Sequence, residues 1–402
     1  MSKRFFKAFY WIKILSKFVS VQLIVQALNL ASGILIVRTL SKQEYAYFTL
    51  ANSMQVTMNL LADSGISSAL SAIGGRIWQD PYRFGQLINT AMQSRRYLAV
   101  IAIVLVTPIM CWMLLQNGAS LGCTVLLIIA ILIELNYYIN KGVLDTVLQL
   151  HSQIEKIQRL NLLSAISRLI ILLGGYTILL NAVVGAFAST IASGLYNLVI
   201  WRWVKNTVNL KAPISKDDQK EILKLVKHQA PNGIFFCVQS QLTIWLISIF
   251  GNTDNIAEIG ALGRIGIIFT VINAVMNSII LPGFARCQSV ERLYRQYWQI
   301  LGSFSLFSVI ILISVAFFPT QILSILGKQY VSLQNELFFT AINSVFSFFI
   351  SAIYFMNVYR GWVEYSWLNI PCTIIVQVIL INMVDLRSIK GVLFFNILSA
   401  IP

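Results

Sequence analysis

The sequence predicts an all-α membrane protein of about twelve transmembrane helices, in two six-helix lobes related by a parallel pseudo-two-fold repeat. Three observations predict it. The chain is 57% hydrophobic and only 11% charged. Apolar runs of spanning length recur along all 402 residues. Most of its thirty Lys and Arg gather in every second gap between those runs. Soluble domains carry about 25% charged residues, and no water-soluble core would bury the surface implied by a mean hydropathy of +0.75.

A bilayer span takes about 20 mostly apolar residues. In the first half the qualifying runs are 18–37, 45–72, 97–115, 121–140, 161–180 and 182–201. In the second they are 232–250, 259–282, 300–318, 337–357, 367–384 and a short 389–402. The basic start and first apolar run resemble a secretory signal, but a run of about 20 is long for one, so it is read as an uncleaved first helix. The polar stretch between the halves divides the chain into a lobe 1–204, a cytoplasmic linker 205–230 and a lobe 231–402. Within the linker, Pro213 stops the preceding segment, Ser215 is placed to cap a helix, and Asp217 and Asp218 suit its positive first turn. Ile222, Leu223 and Val226 with Lys216, Lys220, Lys224 and Lys227 then describe a short amphipathic helix on the membrane surface; a solvated connector is the alternative.

Lys and Arg are retained on the cytoplasmic side of membranes. One set of gaps holds twenty-three of the thirty, including Lys3 to Lys17 at the start, the group Arg76, Arg83, Arg95 and Arg96, and seven from Arg202 to Lys227. The opposite gaps hold only Arg38, Lys42, Lys328, Arg387 and Lys390. Both termini are therefore expected in the cytoplasm. The net charge of +15 follows from this sorting, which points to membrane lipids rather than nucleic acid as the charged partner. Five cysteines without a Cys-x-x-Cys pair and two distant histidines, His151 and His228, give no metal motif. No cofactor is expected.

The halves echo each other. A shift of 214 aligns Glu44 with Glu258, Tyr45-Ala46 with Ile259-Gly260, Asn59 with Asn273 and Ser64 with Ser278; a shift of 208 aligns Leu160-Asn161 with Leu368-Asn369. Six spans per half bring both halves in from the same side, so a duplication is parallel about an axis along the membrane normal.

Polar residues within spans report which face avoids lipid. Gln22, Gln26, Asn29 and Gly33 make one stripe of the first span, and Asn52, Gln55, Asn59 and Asp63 one stripe of the second. Asn232, Gln239 and Thr243 repeat the spacing in the seventh, and Asn343, Ser347, Tyr354 and Asn357 in the tenth. These stripes point to an aqueous substrate cavity; hydrogen bonding inside a closed bundle is the other reading. Four charges fall inside spans: Asp63, Glu134, Arg168 and Arg264. The arginines suit an anionic group such as phosphate, and Asp63 and Glu134 are candidates for ion coupling. Arg264 shares a face with Asn273 only if Gly266 marks a bend. Glu134, Tyr138 and Lys141 share one face of the fourth span, as a salt bridge or a proton-linked carboxylate would.

Val37-Arg38-Thr39-Leu40, Glu44-Tyr45-Ala46, Asp63-Ser64-Gly65 and Gly74-Gly75-Arg76, followed by Glu258-Ile259-Gly260, Pro282-Gly283 and Leu326-Gly327-Lys328-Gln329-Tyr330, resemble the polysaccharide (O-antigen type) flippases of the multidrug/oligosaccharidyl-lipid/polysaccharide (MOP) exporter superfamily. The likeness covers nearly the whole chain. Ala46 departs from a common Gly, and the last span is short. The resemblance implies a cavity lined by the first, second, seventh and eighth helices. It implies movement of undecaprenyl-diphosphate-linked oligosaccharide across the bacterial inner membrane by alternating access, for O-antigen or capsule assembly. Energy is expected from an ion gradient, proton or sodium, or from the membrane potential, and polysaccharide polymerase and chain-length machinery are candidate partners. No bond is made or broken, so no enzyme is expected, and the chain has no Gly-x-x-x-x-Gly-Lys-Ser/Thr loop for a nucleotide. A multidrug cation exporter of the same superfamily is the first alternative. A membrane polymerase or glycosyltransferase is another, against which the short external gaps speak; a structural or assembly protein is the last.

Overall fold

The computed structural model describes residues 2–178, 180–266, 289–360 and 368–400, with residues 269, 270, 272, 273, 276, 280, 281 and 284 between. Ser278, Pro282-Gly283, Arg286, Cys287, Trp367 and the last two residues lie outside the described ones. Fourteen α-helices occupy the described residues. They are α1 Ser2–Thr39, α2 Lys42–Asp63, α3 Ile66–Ile77, α4 Pro81–Gln116, α5 Leu121–Leu150, α6 Ile154–Ile178, α7 Ala182–Val204 and α8 Lys216–Phe250. Then follow α9 Thr253–Gly263, α10 Val290–Phe317, α11 Pro319–Leu326, α12 Gln334–Arg360, α13 Asn369–Met383 and α14 Ile389–Ser399. No strand occurs among the described residues.

Side-chain caps set the helix starts. Ser41 Oγ accepts from the Glu44 amide at 3.2 Å, Asp80 from the Tyr82 and Arg83 amides, Ser120 from Cys123, Asn181 from Val184, and Ser388 from Gly391, each satisfying donors that a helix leaves open at its N-terminus. Pro81 follows Asp80 at the first turn of α4, where a missing N–H costs nothing.

Eight helices are long and apolar enough to cross a membrane. Their outward faces carry large apolar side chains: on α4, Tyr97, Val100, Ile101, Val104, Leu105 and Trp112 recur at helical spacing and each is more than half exposed. Water would penalise such a stripe by about 25 cal/mol per Å²; hydrocarbon does not. The chain is a multi-pass membrane protein. The second expected span lies outside the eight because its polar stripe lowers its hydropathy, and α13 and α14 are short, at 15 and 11 residues.

The expected second span, 45–72, is not one helix. α2 ends at Asp63, Ser64 and Gly65 take left-handed φ angles of 38° and 93°, and α3 begins at Ile66. Glycine accepts that conformation without strain, and Ser64 closes α2 by donating its amide to Leu60 O. The linker helix also differs from expectation. Ser215 Oγ does accept from the Asp218 amide, at 3.3 Å, but the helix it caps is not a short surface element. It runs on through Pro231 to Phe250 as α8, and Ile222 and Val226 join a buried core instead of facing lipid.

The chain divides into two compact units, residues 1–242 and 243–402. In the first, α1 packs on α6, α2 on α4, α5 and α7, and α5 and α6 on α7. Its core joins α3, α4, α5 and α7 through Leu70, Phe84, Ile88, Leu144, Val147, Tyr196 and Ile200. In the second, α12 packs on α14 and α10, and α13 on α14, around Phe269, Met276, Phe304, Phe348 and Met356.

In each half a side chain on an early helix bonds to backbone at the start of a later one, with opposite polarity. Glu44, on the first turn of α2, accepts the Ala182 amide at the start of α7 at 2.7 Å. Asn255, on the first turn of α9, donates to Arg387 O just before α14 at 3.2 Å. The capping residues Ser41 and Asn252 match under a shift of 211, three less than the 214 read from Glu44 and Glu258. The starts of α2 and α9 thus give a different register from side-chain identity.

Candidate functional site

The interior of the first unit holds a charged network where α2, α3, α4, α5 and α7 meet. Asp63 ends α2, and its Oδ1 accepts from the Ser67 amide at 3.1 Å and the Ser67 hydroxyl at 2.9 Å, so it also caps α3. The same carboxylate pairs with the Arg95 guanidinium, which donates further to Ser67 Oγ at 2.6 Å and to Ile139 O on α5 at 3.0 Å. Arg95 is 2% exposed and Asp63 24%. The guanidinium lies against Gly142, where a Cβ would overlap it, and stacks 6.0 Å from the Tyr138 ring centroid.

This placement corrects the sequence reading. The sequence groups Arg95 with the basic residues of a gap between spans. α4 instead begins at Pro81, so Arg95 is fourteen residues into a helix and turned inward, while its neighbour Arg96 is exposed. The isolated Arg95 charge would be costly there; Asp63 offsets it.

Further along α5, Glu134 Oε1 accepts from Ser193 Oγ at 2.6 Å, and its Oε2 is buried without a hydrogen-bond partner among the described residues. Lys141 and Arg168 act on it electrostatically. Lys141 Nζ lies 4.2 Å from the Tyr196 ring centroid, and the Tyr196 hydroxyl donates to Asp145 at 2.6 Å. Asn197 Nδ2 donates to Tyr137 O at 3.0 Å. Glu134, Tyr138, Lys141 and Asp145 thus form one inward face of α5. Sequence reading reached the first three of these and missed Asp145, Ser67, Ser193 and Tyr196. The spacing of Asp145, four residues after Lys141, was the available signal.

Gln22, Gln26 and Asn29 on α1, Asn52, Gln55 and Asn59 on α2, and Gln239 on α8 are all half-buried members of the first unit. Asn59 Oδ1 is buried without a partner among the described residues. Arg168 is half-buried on α6. Thr243 and Arg264 belong to the second unit. There Thr243 Oγ1 is hydrogen-bonded to Asn396 Nδ2 on α14. Arg264 follows α9 and opens a 3-10 turn, Arg264–Gly266, and residues 267 and 268 beyond it lie outside the described ones. Among the described residues no group of three or more His, Cys, Asp or Glu is placed to hold a metal ion.

No protein-family model and no curated protein matches the sequence. Solved structures do match the fold. An inward-facing multidrug resistance MATE family transporter of the MOP superfamily superposes with a TM-score of 0.70 at 18% identity, over 95% of this chain and 96% of that one. An outward-facing MATE family transporter of the same superfamily gives 0.60 at 16% identity, over 95% and 89%. A MOP superfamily transporter from Pyrococcus furiosus Vc1 (DSM3638), described as having a binding pocket of reverse polarity that suggests a different function, gives 0.61 at 16%, over 95% and 91%. The chain has the all-α, multi-pass membrane fold of the MATE transporters of the MOP superfamily.

Proposed function

We propose that this protein is a flippase that carries a polyprenyl-diphosphate-linked oligosaccharide across the bacterial inner membrane by alternating access, supplying surface polysaccharide assembly. The observation that carries the reading is the Asp63–Arg95 pair. The acid on the α2 stripe is matched by a buried guanidinium, which makes Asp63 a poor site for a drug cation. Arg168 and Arg264 are the in-span charges that suit a diphosphate, and half-buried Asn and Gln side chains on α1 and α2 suit sugar hydroxyls. The lipid tail stays in hydrocarbon while the polar head takes a wet path, so no bond changes. The basic-residue distribution supports cytoplasmic termini. Polysaccharide polymerase and chain-length proteins are the expected partners.

Transport against a gradient draws on a proton or sodium ion. Glu134, with one buried oxygen lacking a partner, is the better coupling carboxylate, because Asp63 is already engaged by Arg95.

The likeness to multidrug resistance MATE transporters favours a second reading, export of cationic drugs. One variant separates the two. Arg264→Ala is expected to abolish surface polysaccharide in a strain carrying only that copy, with normal membrane insertion and unchanged drug tolerance. Normal polysaccharide with altered drug tolerance removes the flippase reading.

A further inference from the structure

The stretch from Lys205 to Lys227 is strapped to the first unit. The Asn209 amide donates to Pro81 O at 3.2 Å, Asn89 Nδ2 donates to Leu210 O and Ala212 O at 3.0 and 2.7 Å, and the Ser215 amide donates to Thr90 Oγ1 at 3.1 Å. Gly85 gives the Asn209 carbonyl its space, since a Cβ there would overlap it. On α8 itself, Asp218 is 1% exposed and takes both Arg83 nitrogens. Glu221 faces Arg76 at 3.6 Å, and Ile222 and Val226 enter the core. Asp218, Ile222 and Val226 are thus turned toward the unit, whereas Asp217 is exposed.

What remains outward is mainly basic, with Asp217 and Leu223 exposed beside the lysines. At about 100° per residue, Lys216, Lys220, Leu223, Lys224 and Lys227 fall in one arc of about 100°, roughly opposite Asp218 and Ile222. All five are exposed, Leu223 by 51%, and none of the four lysines makes an ion pair among the described residues. Helix α8 then enters the membrane, its spanning part being Pro231–Phe250.

We propose that this lysine face is a docking surface for anionic phospholipid headgroups of the leaflet on the linker's side. The contact is electrostatic and not an insertion, because the apolar face that would insert is already buried against the protein. Helical rise grades it. Lys227 and Lys224 stand about 6 and 10 Å before Pro231 along α8, and Lys220 and Lys216 about 16 and 22 Å at 1.5 Å per residue. The attraction decays over a Debye length of about 8 Å, so the pair nearest the span dominates. A basic side chain at the surface is worth about fivefold in association with anionic lipid.

Binding of phosphatidylglycerol and phosphatidylcholine to the full-length protein in detergent, counted by native mass spectrometry, tests this. Lys224→Gln/Lys227→Gln is expected to lower the phosphatidylglycerol preference about fivefold or more. Lys216→Gln/Lys220→Gln should change it less than twofold, and Lys224→Arg/Lys227→Arg should keep it. All four positions are exposed, so each variant should unfold at the wild-type temperature. An unchanged preference in Lys224→Gln/Lys227→Gln overturns the proposal. So does an equal loss from both pairs, which would point to a soluble polyanion or an acidic protein.

Discussion

Replacing Asp63 with Ala tests the pairing on which the functional reading rests. The substitution leaves Arg95, 2% exposed, as an uncompensated charge between α2, α4 and α5, with Ser67 Oγ and Ile139 O as its remaining acceptors. Breaking a buried ion pair by removing one partner costs about 3–5 kcal/mol, and losing the cap on α3 adds about 1 kcal/mol. A unit of this size shifts its Tm by about 2–4 °C per kcal/mol, so the ion-pair loss alone corresponds to about 6–20 °C. Thermal unfolding of the detergent-solubilised protein, followed by tryptophan fluorescence, reads the shift. Asp63→Leu combined with Arg95→Met removes both charges, and should recover most of the loss because apolar side chains of similar volume replace such pairs at little cost. A single variant within 2 °C of wild type, or a double variant as unstable as both singles added, would refute the reasoning.

Other substitutions probe neighbouring joints. Gly142→Ala places a methyl group against the Arg95 guanidinium, and overpacking of this kind costs about 1–3 kcal/mol; the Tm should fall, and by less in an Arg95→Met background. Glu44→Ala removes the acceptor for the Ala182 amide and should cost about 1–2 kcal/mol, seen as earlier hydrogen exchange at the start of α7. Glu134→Gln is expected to abolish ion-coupled transport while keeping the fold, with downhill movement of substrate retained; unimpaired coupling would move the role to another carboxylate.

Much of the fold was legible because hydropathy reports directly on lipid contact. α1, α4 to α8, α10 and α12 all contain a run long enough to be read as a span. The break between α2 and α3 was not, since Asp63-Ser64-Gly65 sits in an otherwise unbroken apolar-rich run and only the left-handed angles at Ser64 and Gly65 reveal it. Arg95 was misplaced because an Arg-Arg doublet resembles a loop and its partner Asp63 is 32 residues away. The start of α4 was nevertheless readable: Asp80 followed by Pro81 is a helix N-terminus, and counting from it puts Arg95 within the helix. At the candidate site, α5 showed its face by periodicity, but Ser193 and Tyr196 come from α7, whose contact with α5 only the fold supplies. The linker was half legible. Its cap and lysines were visible, whereas the turning of Ile222 and Val226 onto the first unit depends on Arg83, Asn89 and Thr90 of α4.

The central claim is that an anionic lipid-linked sugar, and not a drug cation, is what moves. Purified protein in proteoliposomes, given either fluorescent polyprenyl-diphosphate-linked oligosaccharide or ethidium, measures this directly. The account expects the lipid-linked sugar to reach the opposite leaflet, with Arg264→Ala at least tenfold slower and ethidium unaffected by the protein. Ethidium transport that depends on the protein, with no movement of the lipid-linked sugar, would contradict it.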